Sequence, residues 1–302
     1  FPREALSGVA ARTARAEVKA RARRGARVCG GVLAAVALVA AAQAPDARRG
    51  EYLAAAGGCL GCHTEAAEGA TPYAGGRALK TPFGTFYGPN LTPHPETGLG
   101  RWSEADFVRA MREGRRPDGA HYYPAFPYTS YTRIPDAELR DLWAFLRSLA
   151  PSPRRNRPHE LVWYARARWA LGLWKWLHFR PGPVSVEPPL ARGALLVEAL
   201  GHCGECHTPR NVLGAMRRDR HLAGGRGPEG KYVPNLTPTR LRKWSDAEVA
   251  DFLRTAIYPD GDVASEAMAE VVRNSTSRLT DEDLRALIGY LRALPALPDE
   301  PR

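Results

Sequence analysis

Two thiols three residues apart, followed at once by an imidazole, occur twice in this chain: Cys59-Leu60-Gly61-Cys62-His63 and Cys203-Gly204-Glu205-Cys206-His207. On one helical turn, two such thiols can each add to a vinyl group of a porphyrin, and the adjoining His can offer a ring nitrogen to the iron from one face. The chemistry read from this spacing is covalent attachment of two haem c groups. Cys59, Cys62, Cys203 and Cys206 hold them, and His63 and His207 are iron ligands. No catalytic residue is assigned.

Other chemistries of paired cysteines fit less well. The two pairs stand 144 residues apart, beyond the spacing of a zinc knuckle or ribbon, and each is followed directly by His. A thioredoxin-like redox pair does not require that His. The chain has five cysteines, and the fifth, Cys29, lies in the N-terminal segment, so no disulfide pair remains.

The residues that must position these motifs are themselves repeated. Gly75-Gly76-Arg77 matches Gly224-Gly225-Arg226, and Pro89-Asn90-Leu91-Thr92-Pro93 matches Pro234-Asn235-Leu236-Thr237-Pro238. Trp102-Ser103 matches Trp244-Ser245, and Pro117-Asp118-Gly119 matches Pro259-Asp260-Gly261. Offsets stay between 142 and 149 residues, the signature of an internal duplication. In each half a short apolar-faced helix (Glu51 to Ala56, Gly193 to Leu200) leads into the motif. Ser103 and Ser245, with an acidic residue three positions on, read as capping boxes opening helices at Phe107–Arg112 and Val249–Thr255. A final helix runs from Pro135 to Leu149, with Leu139, Leu142, Trp143 and Leu146 as its apolar stripe; its counterpart runs to Leu294.

This order resembles class I cytochrome c. Gly-Pro-Asn-Leu-Thr-Pro, Trp-Ser-Glu-Ala-Asp-Phe and Asp-Gly-x-His-x-Tyr-Pro-Ala further resemble the mono- and di-haem electron-transfer subunits of periplasmic dehydrogenases, over roughly residues 45–296. The resemblance implies an all-α fold of two tandem class I cytochrome c domains, each wrapped around one covalent haem. The expected boundaries are 1–44 for a signal peptide or N-terminal anchor, 45–150 for domain 1, 151–190 for an aromatic-rich linker helix and 191–302 for domain 2.

The same resemblance implies a Met as the second axial ligand, since a soft thioether favours ferrous iron. Met268, eight residues past Asp260 and expected in the loop before the last helix, is assigned to haem 2. The matching position in the first half is Phe126, and the start of its last helix carries Ile134. The distal side of haem 1 is therefore open between His121, His94, Met111 and an iron without a protein ligand there. Met111, inside a predicted helix, suits a core role better than an iron ligand.

The formal charge of +11 is concentrated at the start: residues 1–44 carry a net +6, leaving +5 for the remainder. The propionates of two haems would lower that further. With no Lys/Arg cluster interleaved with base-stacking aromatics, nucleic-acid binding has little support. Phe1 in place of Met reads as an incomplete or mis-assigned start. Arg21, Arg23, Arg24 and Arg27 precede an apolar run from Val28 to Ala42, too short for a span of about 20 residues. Ala42-Gln43-Ala44 is a small-x-small cleavage site, so a secretory signal cleaved after Ala44 is favoured over an uncleaved anchor. Export agrees with haem c, which is attached outside the bacterial cytoplasm.

Between the halves, residues 161–180 hold Trp163, Tyr164, Trp169, Trp174, Trp176 and Phe179, with Arg166, Arg168, Lys175 and Arg180 interspersed. Two readings compete: an interfacial helix on a membrane surface, or a linker helix packing its aromatics against both halves. The second is favoured.

The functional expectation is a periplasmic carrier, associated or not with the inner membrane. It would take electrons from a periplasmic dehydrogenase and deliver them through the respiratory chain to an oxidase or another cytochrome. The rival is a di-haem, peroxidase-like enzyme with an open haem 1, motivated by Phe126 in the place of Met.

Overall fold

Short capped helices and tight glycine turns make up most of the computed structural model, which describes residues 44–183, 186–227 and 230–301. Residues 1–43, with Cys29 and most of the signal-like segment, lie outside the described residues.

The first repeat opens with α1 (Ala47–Ala56), capped by the Asp46 carboxylate, which accepts from the backbone N–H groups of Arg48 and Arg49. Then come α2 (Cys59–His63), a hairpin of β1 (Ala78–Thr81) and β2 (Gly84–Tyr87), α3 (Glu104–Glu113), the single turn α4 (Tyr128–Tyr131) and α5 (Asp136–Ser148). The bridge supplies β3 (Glu160–Leu161), a 3-10 turn at Trp163–Arg166 and α6 (Ala170–His178). The second repeat runs through α7 (Pro188–Ala194), a π-helical segment at Leu195–Leu200, α8 (Gly204–His207) and a ribbon of β4 (Gly225–Arg226) and β5 (Tyr232–Val233). It continues with α9 (Pro238–Leu241), α10 (Asp246–Thr255), α11 (Glu266–Asn274) and α12 (Asp281–Ala293).

Both expected capping boxes form: Ser103 pairs with Asp106 and Ser245 with Glu248. The helices they start end alike, on a left-handed residue that is Gly114 in one repeat and Ala256 in the other. In each repeat the leading helix crosses the last one at a glycine. A Cβ on Gly50 of α1 would lie 1.9 Å from the Asp141 carbonyl oxygen, and one on Gly193 of α7 would lie 2.1 Å from that of Ala286. Beside each crossing sits a matching ion pair, Arg49 with Asp141 and Arg192 with Asp283.

Three features depart from the sequence reading. The helical fold also carries short strands: β1, β2 and β3 form an antiparallel sheet, turned at Gly84, whose φ is 112°. The bridge is not one helix: among its described residues only Ala170–His178 and the start of α7 from Pro188 are α-helical. Gly50 to Cys59 spans nine residues whereas Gly193 to Cys203 spans ten, and the extra residue is taken up in the π-helical segment.

Residues 45–302 form one compact unit, and a single apolar core runs through both repeats, from Leu53 and Leu142 to Leu200, Leu284 and Leu291. Among the described residues no helix is long and apolar enough to cross a membrane.

Candidate functional site

His63 closes α2, and its Nδ1 lies 2.8 Å from the Pro89 carbonyl oxygen. A carbonyl can only accept, so Nδ1 carries the proton and Nε2 keeps its lone pair. His207, at the end of α8, makes the same contact with the Pro234 carbonyl at 2.7 Å. Burial lowers the pKa of both imidazoles, that of His207 to about 4, with the carbonyl hydrogen bond pushing partly back. Each ring is thus a neutral nitrogen donor at neutral pH, oriented by a main-chain oxygen, which is how an imidazole is prepared for a metal.

The frame behind each His is built twice from the same parts. The Gly75 N–H donates to the His63 carbonyl at 2.7 Å and the Gly224 N–H to that of His207 at 2.8 Å. Both glycines have φ of 79°, and a Cβ on either would meet the following Asn backbone nitrogen at 2.7 Å. Two residues upstream, Tyr73 and Leu222 sit in the left-handed region. Their N–H groups are held at 3.0 Å by Thr64 and Thr208 hydroxyls. Asn90 and Asn235, both buried, accept from the N–H of Thr92 and Thr237 and so fix the turn that presents the proline carbonyls. Gly88 permits a further close approach: a Cβ there would lie 1.8 Å from the Cys62 carbonyl oxygen.

Burial pushes the Cys59 and Cys203 thiols up to about 12 and Cys62 to about 11. A redox C-x-x-C pair has a lowered thiol pKa, the opposite direction. Among the described residues no three His, Cys, Asp or Glu side chains converge as metal ligands.

The two motifs meet at the contact between repeats, and each is braced by the other half. A Cβ on Gly61 of α2 would lie 3.0 Å from Asn274 Nδ2 and 3.5 Å from Glu270 Oε1, both on α11, and Arg77 pairs with Glu270 at 2.6 Å. In the opposite sense, Thr129 on α4 donates to Glu205 of the second motif at 2.8 Å, and the Tyr131 ring packs edge-on against His202 at 5.7 Å. The Tyr131 hydroxyl is raised well above its ordinary pKa by burial, and then by Cys59, Cys62 and Glu205. Cys62 in turn feels Cys206. The pieces of both motifs therefore share one electrostatic neighbourhood, and Tyr131 stands between them.

The second motif has a buried carboxylate of its own. Glu198, in the π-helical segment, lies 2.8 Å from His221 Nε2 and accepts from the Tyr290 hydroxyl at 2.9 Å. Burial alone would raise its pKa, but these two partners outweigh burial and hold it below the ordinary value.

On the distal side the repeats differ. Met268 lies on the first turn of α11, half-buried against the core, rather than in a loop. In the first repeat Pro124 and Pro127 occupy the positions of Glu266 and Ala269 and, lacking N–H donors, leave only the single turn α4. Phe126 packs edge-on against Tyr122 at 5.2 Å and Tyr131 at 5.7 Å. Met111 is buried in the core face of α3. His94 turns Nδ1 into its own loop, accepting from the Thr97 N–H at 3.2 Å. His121 lines a cleft with Gly172, Lys175 and Arg115, and its buried Nδ1 has no hydrogen-bond partner among the described residues.

The roles of Pro89, Pro234, Tyr131, Glu205 and Glu198 were not assigned from sequence. The repeated Pro-Asn-Leu-Thr-Pro run was the available signal for the first two.

A family model described as cytochrome c matches residues 47–150. The chain is 46% identical over 259 residues to a protein of Cereibacter sphaeroides called diheme cytochrome c-type, covering 83% of this chain and 87% of that one. It is 38% identical to the cytochrome c subunit of a quinone-dependent alcohol dehydrogenase from Gluconobacter oxydans, over 88% of this chain and 60% of the relative. It is 39% identical to the gluconate 2-dehydrogenase cytochrome c subunit of Pantoea cypripedii, over 84% of this chain and 61% of the relative. The chain thus spans about three-fifths of the length of those two subunits.

Proposed function

The chain belongs to the cytochrome c family, with a di-haem cytochrome among its relatives, and from that premise we propose that it is a periplasmic di-haem electron carrier. Its electrons come from a dehydrogenase and pass to the respiratory chain through an oxidase or a further cytochrome. Residues 45–150 and 191–302 act as tandem class I domains, each holding one haem c. One is held through Cys59, Cys62 and His63, the other through Cys203, Cys206 and His207, with Met268 as the second ligand of the latter. The relatives that are subunits of dehydrogenases support the upstream partner.

The observation that carries this reading is the duplicated proximal frame, in which the Pro89 and Pro234 carbonyls accept from the Nδ1–H of His63 and His207. Haem iron, when bound, supplies reversible one-electron chemistry. The chain's own residues do the rest. The paired thiols fix the group in place, the imidazoles stay neutral and oriented, and the shared core excludes water. The contact through Tyr131, His202 and Glu205 keeps the two motifs together. Among the exposed or half-exposed cations near the motifs, Arg77 and Arg210 are already paired with Glu270 and Glu205, so long-range steering of an acidic partner falls to others.

A second reading, a peroxidase-like enzyme with an open haem 1, is favoured by one observation: Phe126, which carries no ligand atom, stands where Met268 stands in the other repeat. Spectra of the ferrous protein with and without carbon monoxide separate the two. Electron transfer alone expects two low-spin haems that do not bind the gas. A carbon monoxide complex at one haem, with fast turnover of peroxide by a reduced donor, would establish the enzyme instead.

A further inference from the structure

The bridge helix α6 is mounted with its cation inside and its large apolar residues outside. Lys175 is 8% exposed; its ammonium donates to the carbonyls of Glu113 and Gly114 and lies 4.5 Å from the Tyr128 ring centroid. Leu171, on the same inner side, packs against the small cluster of Phe86, Tyr123 and Leu161. Outward, Trp169 is 81% exposed, Trp176 74%, Leu173 56% and Leu177 44%. Their numbers step by four, three and one, which is a single stripe along a helix. Trp163, also 81% exposed, extends it at the preceding 3-10 turn. The tip Val212-Leu213, both exposed, lies alongside, with the Trp174 indole N–H donating to the Leu213 carbonyl at 2.9 Å.

Within the bridge the charges have one sign, while Glu113 of α3 shares a cleft with Trp176 and Leu177 beside Arg115 and Lys175. Residues 161–183 contain no Asp or Glu and carry Arg166, Arg168, Lys175 and Arg180. Arg166 and Arg180 are exposed on either side of the Trp169–Leu177 part of the stripe. Exposed Trp flanked by cations is the pattern of an element lying in a phospholipid interface, where the indole body sits among the acyl ends and its N–H reaches the headgroups. An acidic protein surface would answer the charge but not the length of apolar side chain left in water.

We propose that the outward face of α6, with Trp169, Leu173 and Trp176 between Arg166 and Arg180 and Trp163 just beyond Arg166, seats the protein on an anionic phospholipid surface. The stripe then lies in the headgroup layer and the two arginines meet lipid phosphates. This inference is independent of the haem count and of which haem takes the electron first.

The test is flotation of the full-length haem-loaded protein, cleared of detergent, with vesicles of phosphatidylcholine alone and with added phosphatidylglycerol, together with its Trp emission. Binding to the anionic vesicles, with a blue shift, is expected. Trp169→Ser/Trp176→Ser should abolish the blue shift and most of the binding, and because both rings are exposed the far-UV and Soret spectra should be unchanged. Arg166→Gln/Arg180→Gln should weaken binding to anionic vesicles by roughly 30-fold, about fivefold per charge, and reduce its salt dependence. Equal binding by wild type and the Trp variant would overturn the proposal, since any attachment would then come from elsewhere in the chain. A wild-type dimer that the Trp variant turns into a monomer, or a dehydrogenase that covers the stripe while vesicles are ignored, would overturn it equally.

Discussion

Asn90→Ala is expected to destabilise the protein by about 4 kcal/mol and Asn235→Ala by about 2 kcal/mol, although the two residues hold the same place in the repeat. Both side chains are buried, but their partners differ in number. Asn90 accepts from the Thr92 N–H at 2.9 Å and the Thr92 hydroxyl at 2.7 Å. It donates to the Ser152 and Arg154 carbonyls at 2.9 and 3.0 Å, with a longer contact to the Thr97 hydroxyl at 3.3 Å. Asn235 accepts from the Thr237 N–H at 2.7 Å and donates to the Leu297 carbonyl at 2.9 Å. Each buried group left unpaired costs about 1 kcal/mol net, so four short bonds set against two give the difference. Pro89 directly precedes Asn90, so the same change loosens the carbonyl that orients His63, and loss of such an outer contact weakens a metal site by about 10–100-fold. Urea denaturation of both haem-loaded variants by far-UV circular dichroism measures the first effect, and the potential of each haem measures the second. Equal costs, a reversed order, or a loss below about 0.5 kcal/mol at Asn90 would refute the reasoning.

Met268→Ala should lower the potential of one haem and let it bind carbon monoxide, leaving the other haem untouched; unchanged potentials in a redox titration would remove Met268 from the iron. Glu198→Gln should cost about 1–2 kcal/mol at pH 7, because Gln keeps an acceptor oxygen for Tyr290 or His221 but loses the charge. The folded carboxylate is held below its ordinary pKa near 4.5, so its stabilisation is present above that value and is lost as the pH falls through the folded one. The gap between Glu198→Gln and wild type should therefore close below about pH 4.5, and a gap independent of pH in urea titrations would contradict the assignment.

What could be read from the residues alone was whatever depends on local spacing. The two C-x-x-C-H runs, the Ser103 and Ser245 caps, the terminal helices and the core place of Met111 are all set by neighbours within a few positions. What was missed depends on partners distant in sequence. Tyr131 meets His202 and Thr129 meets Glu205 across more than 70 residues, and no periodicity marks such pairs. The bridge shows the same limit. Its aromatics read as core because large apolar side chains usually are, yet Lys175 turns inward to cap the carbonyls of Glu113 and Gly114 and leaves Trp169 and Trp176 outside. The π-helical segment was legible in principle, since Gly50 to Cys59 and Gly193 to Cys203 differ by one residue. The distal side expected in the first repeat was not legible, because Phe126 at the place of Met268 carries no ligand atom and names no replacement.

The most direct test of a di-haem carrier is a redox titration of the purified protein with electrons counted against polypeptide. Two one-electron waves per chain are expected, one of which disappears in Cys203→Ser/Cys206→Ser and the other in Cys59→Ser/Cys62→Ser. A single electron per chain, or a titration that either double variant leaves unchanged, would contradict it.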